Sequence, residues 1–313
     1  MKRLCQRLAL AALFGVPAVA PVTSFGHAAA DEQKTESQKP VVAAEVKQEE
    51  PTGPNAGRLS FSGGADFVTA YFFRGYNQED QGLIAQPYAT LYIKLDDSDA
   101  HKVTAYVGTW NSLHSEHTLS NAGGGPDAWY ESDFLGGVDF SSGAFTLGFV
   151  YTAYTYPNGA AETIEEVGAK LTWDDTTFQK GKLGFALKPY VAAYAETSDG
   201  NGSEDWYGEV GVAPGVYTFN KDGRYPVALT VPIAVGLGLK DYYFDDDGHE
   251  EFLGYVSAAV TASVPLPFIK SDYGSWNLTG SLQYLWLNAE GLQTLNHGDD
   301  SELIGKVGIA FAY

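Results

Sequence analysis

Cysteine is almost missing: the 313 residues hold one, Cys5, inside an N-terminal stretch that reads as a cleaved leader. A chain without that stretch has no disulfide and no thiol chemistry. Long apolar runs are missing too. Beyond residue 30 no window holds about eighteen consecutive apolar residues, which excludes a helical membrane span. Positive charge is scarce, with 19 Lys and Arg against 39 Asp and Glu. The net charge of −20 becomes −23 once Lys2, Arg3 and Arg7 are removed with no acid lost. So acidic a chain excludes nucleic acid and other polyanions as partners. Nucleophile-elbow, phosphate-loop and dinucleotide fingerprints are absent despite 36 glycines, so glycine must serve something other than cofactor binding.

What is present starts with residues 1–30. Three basic residues, an apolar core from Leu8 to Ala20 and "HAAA" before Asp31 read as a secretory signal peptide. Residues 31–57 are polar, charged and broken by Pro and Gly, and read as a disordered periplasmic segment. From Arg58 the hydrophobic period is two. Leu303, Val307, Ile309 and Phe311 share one face of the last segment, with Lys306, Gly308 and Ala310 on the other. Val227–Leu239, Phe145–Ala153 and Phe252–Val264 repeat the pattern, which marks strands with one apolar face. The second face carries Gly, Ala, Ser, Thr and isolated charges, a mixture that suits a crowded polar lumen better than a free surface. The glycines relieve crowding there.

Short and long connections alternate along the chain. Counting between them predicts twelve strands: 58–72, 83–95, 101–112, 127–140, 143–156, 161–173, 182–196, 205–219, 226–240, 249–264, 275–289 and 300–313. An even number keeps both termini on one side, as single-chain bacterial barrels require. Aromatics gather at the strand ends. Tyr71, Phe72, Trp110, Trp129, Tyr154, Tyr156, Trp206, Tyr242 and Trp286 are expected at one membrane interface, and Phe140, Trp173, Phe219 and Trp276 at the other. Tyr313 ends the chain on the apolar face of the last strand. The fold class expected is therefore all-β: a transmembrane antiparallel up-and-down β-barrel over residues 58–313.

The stretch "DFVTAYFFRGYNQEDQGLIAQPYATLYIKL" followed by "VGTWNS" resembles the TorF-like family of porin-type outer-membrane proteins of Gram-negative bacteria. The resemblance rests on Tyr71, Phe73, Arg74, Gly75, Gln78, Gln86, Gly108, Trp110 and Ser112 and covers residues 60–112. It implies an outer-membrane location and, less specifically, transport.

The five histidines beyond the leader fall in connections or at strand ends, where a barrel enzyme would not hold a triad. His114-Ser-Glu-His117 reads as a solvated loop and not a metal site, and "YYFDDDGHEE" fails the EF-hand spacing at Tyr243. No cofactor, metal or catalytic residue is expected. Strand parity turns Asp66, Arg74, Glu131, Asp133, Glu166, Lys170, Lys188, Glu196, Glu209 and Lys306 toward the lumen as pore-lining residues. Lys188 and Lys306 are expected near mid-barrel. Arg74, at the end of the first strand, either ties a loop to a carboxylate or screens solutes at the mouth. The function expected is passive diffusion of small solutes with mild cation preference, because acids crowd the outer half and the outer loops. A non-conducting structural or adhesion barrel, and an enzyme acting on lipid or peptide from its loops, are the alternatives. The expected partners are outer-membrane lipid, small solutes or ions and the barrel-assembly machinery, with homo-oligomers left open.

Overall fold

The computed structural model describes residues 57–98, 100–118, 125–179, 185–198 and 204–313. The expected signal peptide, and all but the last residue of the expected disordered segment, lie outside the described residues. The first strands are β1 (Leu59–Val68), β2 (Tyr71–Phe73), β3 (Tyr76–Glu79), β4 (Ile84–Asp97), β5 (Lys102–His114) and β6 (Trp129–Ser142). There follow β7 (Phe145–Thr155), β8 (Ile164–Trp173), a short helix α1 (Thr176–Gln179), β9 (Tyr190–Ser198), β10 (Trp206–Val212) and β11 (Gly215–Phe219). The chain ends with β12 (Val227–Thr230), β13 (Ile233–Lys240), β14 (Leu253–Pro265), β15 (Ser275–Leu287), helix α2 (Glu290–Leu295) and β16 (Ser301–Ala312).

All of these strands except β2 and β3 join one antiparallel sheet, which closes on itself into a twelve-strand barrel. Two staves are each broken in the middle. Proline lacks the N–H that a ladder needs, and Pro214 separates β10 from β11 while Pro232 separates β12 from β13. The seam pairs β1 with β16, Ser62 opposite Ala312 through Val68 opposite Lys306. Phe61 and Tyr313 extend it by exchanging two backbone hydrogen bonds of 2.7 Å. Closure leaves no edge unpaired, the condition for strands to cross a membrane.

The alternation read from the sequence survives as a wall with two chemistries. Phe67, Phe134, Phe149, Leu282, Leu303 and Val307 face outward and are exposed, as a lipid-facing belt requires. Both barrel termini lie at one end, with short turns such as 143–144 and the connection that carries α1. The connections 69–83, 241–252 and 288–300 lie at the other, which we take as the extracellular end because it is opposite the termini.

Three details depart from the sequence reading. The first stave stops at Val68, not at residue 72, and the chain turns back into the barrel. The seventh starts at Tyr190, so Lys188 precedes it with a left-handed backbone (φ 50°) instead of standing at mid-lumen. Finally, Trp129, Trp206 and Trp286 alone of the nine expected loop-end aromatics are exposed on the outer face. Tyr71, Trp110, Tyr154, Tyr156 and Tyr242 are buried and fill the interior, because the returning chain supplies them with a core to pack against.

Candidate functional site in the barrel lumen

The inward turn is made by Arg74 and Gly75. Both have positive φ, 47° and 89°, and they link Phe73 to its partner Tyr76 across a two-residue hairpin. Two consecutive positive φ values with glycine second are the signature of the tight turn whose twist suits paired strands. Gly75 has a second reason to be glycine: a Cβ there would come within 2.7 Å of Leu292 on α2. The hairpin β2–β3 thus enters the loop end of the barrel tip first, with Arg74 at its tip.

Arg74 is held from several sides. Its guanidinium donates to both oxygens of Glu166 on β8, Nη1 to Oε2 at 2.7 Å and Nη2 to Oε1 at 2.9 Å. This fork is the arrangement for which arginine is suited and lysine is not. Nη1 also donates to the Tyr242 hydroxyl at 3.2 Å, and Tyr154 donates to Glu166 Oε1 at 2.7 Å. The guanidinium carbon lies 4.1 Å from the Tyr207 ring centre and 4.6 Å from those of Phe73 and Tyr194. Arg74 and Glu166 are 8% and 3% exposed, so the pair is fully committed to the protein. Backbone contacts lock the rest of the tip. Tyr243 donates to the Arg74 carbonyl at 2.9 Å, and Tyr76 to the Tyr242 carbonyl at 2.5 Å.

Two aromatic clusters pack around this tip. One gathers Tyr76, Tyr207, Tyr242, Tyr243 and Tyr255 with Leu285, Leu287 and Leu292; the other gathers Tyr71, Phe73, Trp110, Tyr130, Tyr154 and Tyr156. They lie inside the barrel, where a wide porin would have water. Glu131 is fully buried and accepts from Tyr71 at 2.8 Å, while its Oε1 and both oxygens of Asp133 have no hydrogen-bond partner among the described residues. Glu209 accepts from Tyr190 (2.8 Å), Tyr207 (2.6 Å) and Tyr255 (2.9 Å). Glu196 is buried as well. Glu131, Glu166 and Glu209 are therefore polar anchors within a packed plug.

Sequence reading treated His114 as part of a solvated loop. It is instead 2% exposed, stacked on Tyr130 with ring centres 4.7 Å apart. Its Nε2 meets Ser112 Oγ at 2.8 Å and its Nδ1 meets Thr118 Oγ1 at 2.7 Å. Thr118 donates its hydroxyl proton to Glu79 on β3 in a short hydrogen bond. With that proton committed, Thr118 accepts from His114 Nδ1–H, which leaves the Nε2 lone pair facing the Ser112 hydroxyl. A serine next to an imidazole base can be a nucleophile. Ser112 has 0% exposure, so here the chain of contacts ties the returning arm of the hairpin to β5.

Below the tip the lumen changes. A cavity of about 140 Å³ is bounded by Arg74 above and by Tyr88, Tyr106, Asp139, Lys170 and Tyr194 around it. Lys170 Nζ lies 3.8 Å from the centre of the Tyr190 ring. At the seam, Lys306 pairs with Asp66 at 3.1 Å. Lys188 belongs to the turn-end connection, where its N–H and that of Leu187 donate to Asp175 at 2.8 and 3.2 Å.

The closed antiparallel ring and its outward apolar belt place the chain. It is an outer-membrane β-barrel. No family model and no curated protein matches it, and the TorF-like family is not shown. Solved structures similar to it include an outer-membrane channel from Pseudomonas putida F1, at 8% identity and a TM-score of 0.42 over 82% of this chain and 94% of the other. The NanC porin gives 14% identity and a TM-score of 0.36 over 81% and 98%. The β-domain of the Bordetella autotransporter BrkA gives 11% and 0.38, also over 81% and 98%. Similarity this distant carries no argument, and the architecture rests on the strand pairing itself.

Proposed function

We propose that the protein is a narrow channel for passive diffusion of small solutes, without a catalytic step, whose extracellular half is shut by the β2–β3 hairpin. The observation that supports this is the break in lumen filling at Arg74: packed aromatics above it, a charged and tyrosine-lined cavity below. A barrel serving only as a scaffold gains nothing from holding unpaired charges, Asp139 and Lys170, in such a cavity, since taking them from bulk water is costly. Solute passage then requires the hairpin to leave its seat, and Arg74–Glu166 is the latch. Asp66, Lys170 and Lys306 line the path below the latch. The acids of the outer half join the lining when the hairpin moves. Cation preference in this reading comes from the loop acids, which lie outside the plug.

The test is single-channel recording in planar bilayers. The unmodified chain should give small, infrequent openings. The double variant Arg74→Gln with Glu166→Gln, which removes both charges of the latch together, should open more often. Silence from both proteins would leave a structural barrel as the function. Turnover of a lipid or peptide by the unmodified chain, lost in Ser112→Ala, would establish the enzyme reading.

A further inference from the structure

Asp139, Gly148 and Lys170 stand in one row on three neighbouring strands: Asp139 pairs with Gly148, and Gly148 with Lys170. At about 4.8 Å per strand, the two charged residues start about 10 Å apart. Both line the cavity, yet no ion pair within 4.0 Å joins them; Lys170 Nζ rests on the face of Tyr190, which leaves its charge without an anionic partner. The residue between them is glycine, and a Cβ there would lie 2.5 Å from Asp139 Oδ1. On its other side Lys170 faces Ala192 on β9, with Glu209 one strand further. The Glu209 oxygens are already taken by three tyrosine hydroxyls. Arg74 is likewise satisfied by Glu166. One cation and one anion thus line the same space without an ion pair between them, and the missing side chain of Gly148 makes room for the Asp139 carboxylate.

We propose that this cavity binds a small zwitterion such as an α-amino acid, with Lys170 Nζ taking its carboxylate and Asp139 taking its ammonium. The proposal rests on the channel reading for its purpose, and names the solute class. A ligand with one charge satisfies one wall group and is repelled by the other, whereas a zwitterion satisfies both. The faces of Tyr88, Tyr106 and Tyr194 supply apolar walls for the ligand's carbon body.

The experiment is ligand-observed saturation-transfer NMR on the full chain refolded in detergent. The probes are L-valine, isovalerate (carboxylate alone) and isobutylamine (ammonium alone). Saturable transfer to L-valine is expected, with each single-charge analogue about tenfold weaker, the scale of one lost charge-assisted hydrogen bond. Lys170→Met and the near-isosteric Asp139→Asn should each weaken L-valine by about tenfold. Gly148→Ala, which crowds the Asp139 carboxylate, should weaken it as well. Heat-modifiable gel migration checks that each variant is folded, and Lys170→Gln replaces Lys170→Met if the latter fails that check. Isovalerate binding as tightly as L-valine, L-valine binding unchanged in both charge variants, or no binding at all would each overturn the proposal. Binding that depends on Lys170 and Asp139 in a barrel that never conducts would leave the site standing and remove the channel. Conductance without binding would do the reverse.

Discussion

Above Arg74, the inward acids Glu131, Glu166, Glu196 and Glu209 expose 5% or less of their surface, and tyrosine hydroxyls or a guanidinium engage three of them. Below it, Asp139 and Lys170 share a cavity and touch no counter-charge, while Lys306 rests against Asp66. The same staves build both halves, so strand parity alone does not decide whether an inward charge lines a pore. What decides it is the hairpin β2–β3. Where it enters, Tyr71 and Arg74 give donors to Glu131 and Glu166, and both carboxylates leave water; where it stops, Asp139 and Lys170 stay without a counter-charge. Burial there acts as fastening, and the seat of the hairpin follows from those fastenings.

The largest break comes from removing the ring on which both halves depend. Deleting Leu303–Tyr313 exposes β1 and β15 as two unpaired edges, and backbone groups in lipid without partners are not tolerated. The expected result is no membrane-inserted, heat-modifiable protein at all. Recovery of a folded barrel from this deletion would contradict the seam.

A smaller break abolishes the difference between the halves and leaves the ring intact. Arg74→Ala strips Glu166 of its partner in a buried site, a change of about 3–5 kcal/mol in comparable pairs. We expect the hairpin to leave its seat, with faster proteolysis within residues 69–83 and more frequent channel openings, while the barrel stays folded. Arg74→Lys should fall between, since one ammonium cannot form both bonds of the fork. Protection at 69–83 equal to that of the unmodified chain would show that the aromatic packing seats the hairpin without the latch.

The ring was legible in the sequence because period-two alternation reports directly which face meets lipid, and twelve segments were countable from it. The plug was legible in part. "FFRGY" is a two-residue turn with glycine second, flanked by aromatics, and could have been read as a hairpin; the alternation of Tyr71 and Phe73 extends smoothly from β1 and hid the break. His114 illustrates a different limit. Most of its neighbours in sequence are polar, and it is held by stacking on Tyr130 and, through Thr118, by Glu79 on the hairpin, residues whose proximity no local pattern reveals. The Asp139–Lys170 gap is likewise set by cross-strand register through Gly148, which alternation does not specify.

Selectivity sharpens the comparison more gently. If the plug acids are fastenings, the field at the mouth comes from loop acids within about one Debye length, roughly 8 Å at physiological salt. Replacing Asp245, Asp246 and Asp247 by Asn should reduce cation preference, measured as a smaller reversal potential in a salt gradient at low ionic strength. The effect should be modest, because two of the three are engaged. Asp246 accepts from Thr294 at 2.8 Å, and Asp245 accepts from the His249 N–H at 2.7 Å. Glu131→Gln, inside the plug, should leave the closed-state preference alone. A larger change from Glu131→Gln than from the triple loop variant would mean that the plug acids are exposed to the permeating ion.

The smallest expected effect isolates one loop pair from the barrel. His249 Nδ1 lies 2.9 Å from Asp245 Oδ2, and both groups are at the surface. The carboxylate holds the imidazole above its ordinary value of about 6.5. In turn, the His249 backbone N–H and ring hold Asp245 below the ordinary carboxylate value. The signs then fix a window. The His249 contribution is present below the ordinary imidazole value and fades as pH rises through its raised value in the fold. The Asp245 contribution is present above the ordinary carboxylate value and fades as pH falls through its lowered value. The contact is therefore strongest between those limits, in mildly acidic solution. An NMR titration of the His249 ring should give a raised midpoint in the unmodified chain, returning toward 6.5 in Asp245→Asn, with no change in heat-modifiable migration in either. A midpoint unmoved by Asp245→Asn would assign the shift to the other loop acids, and the mouth would then act as one diffuse field instead of a set of discrete pairs.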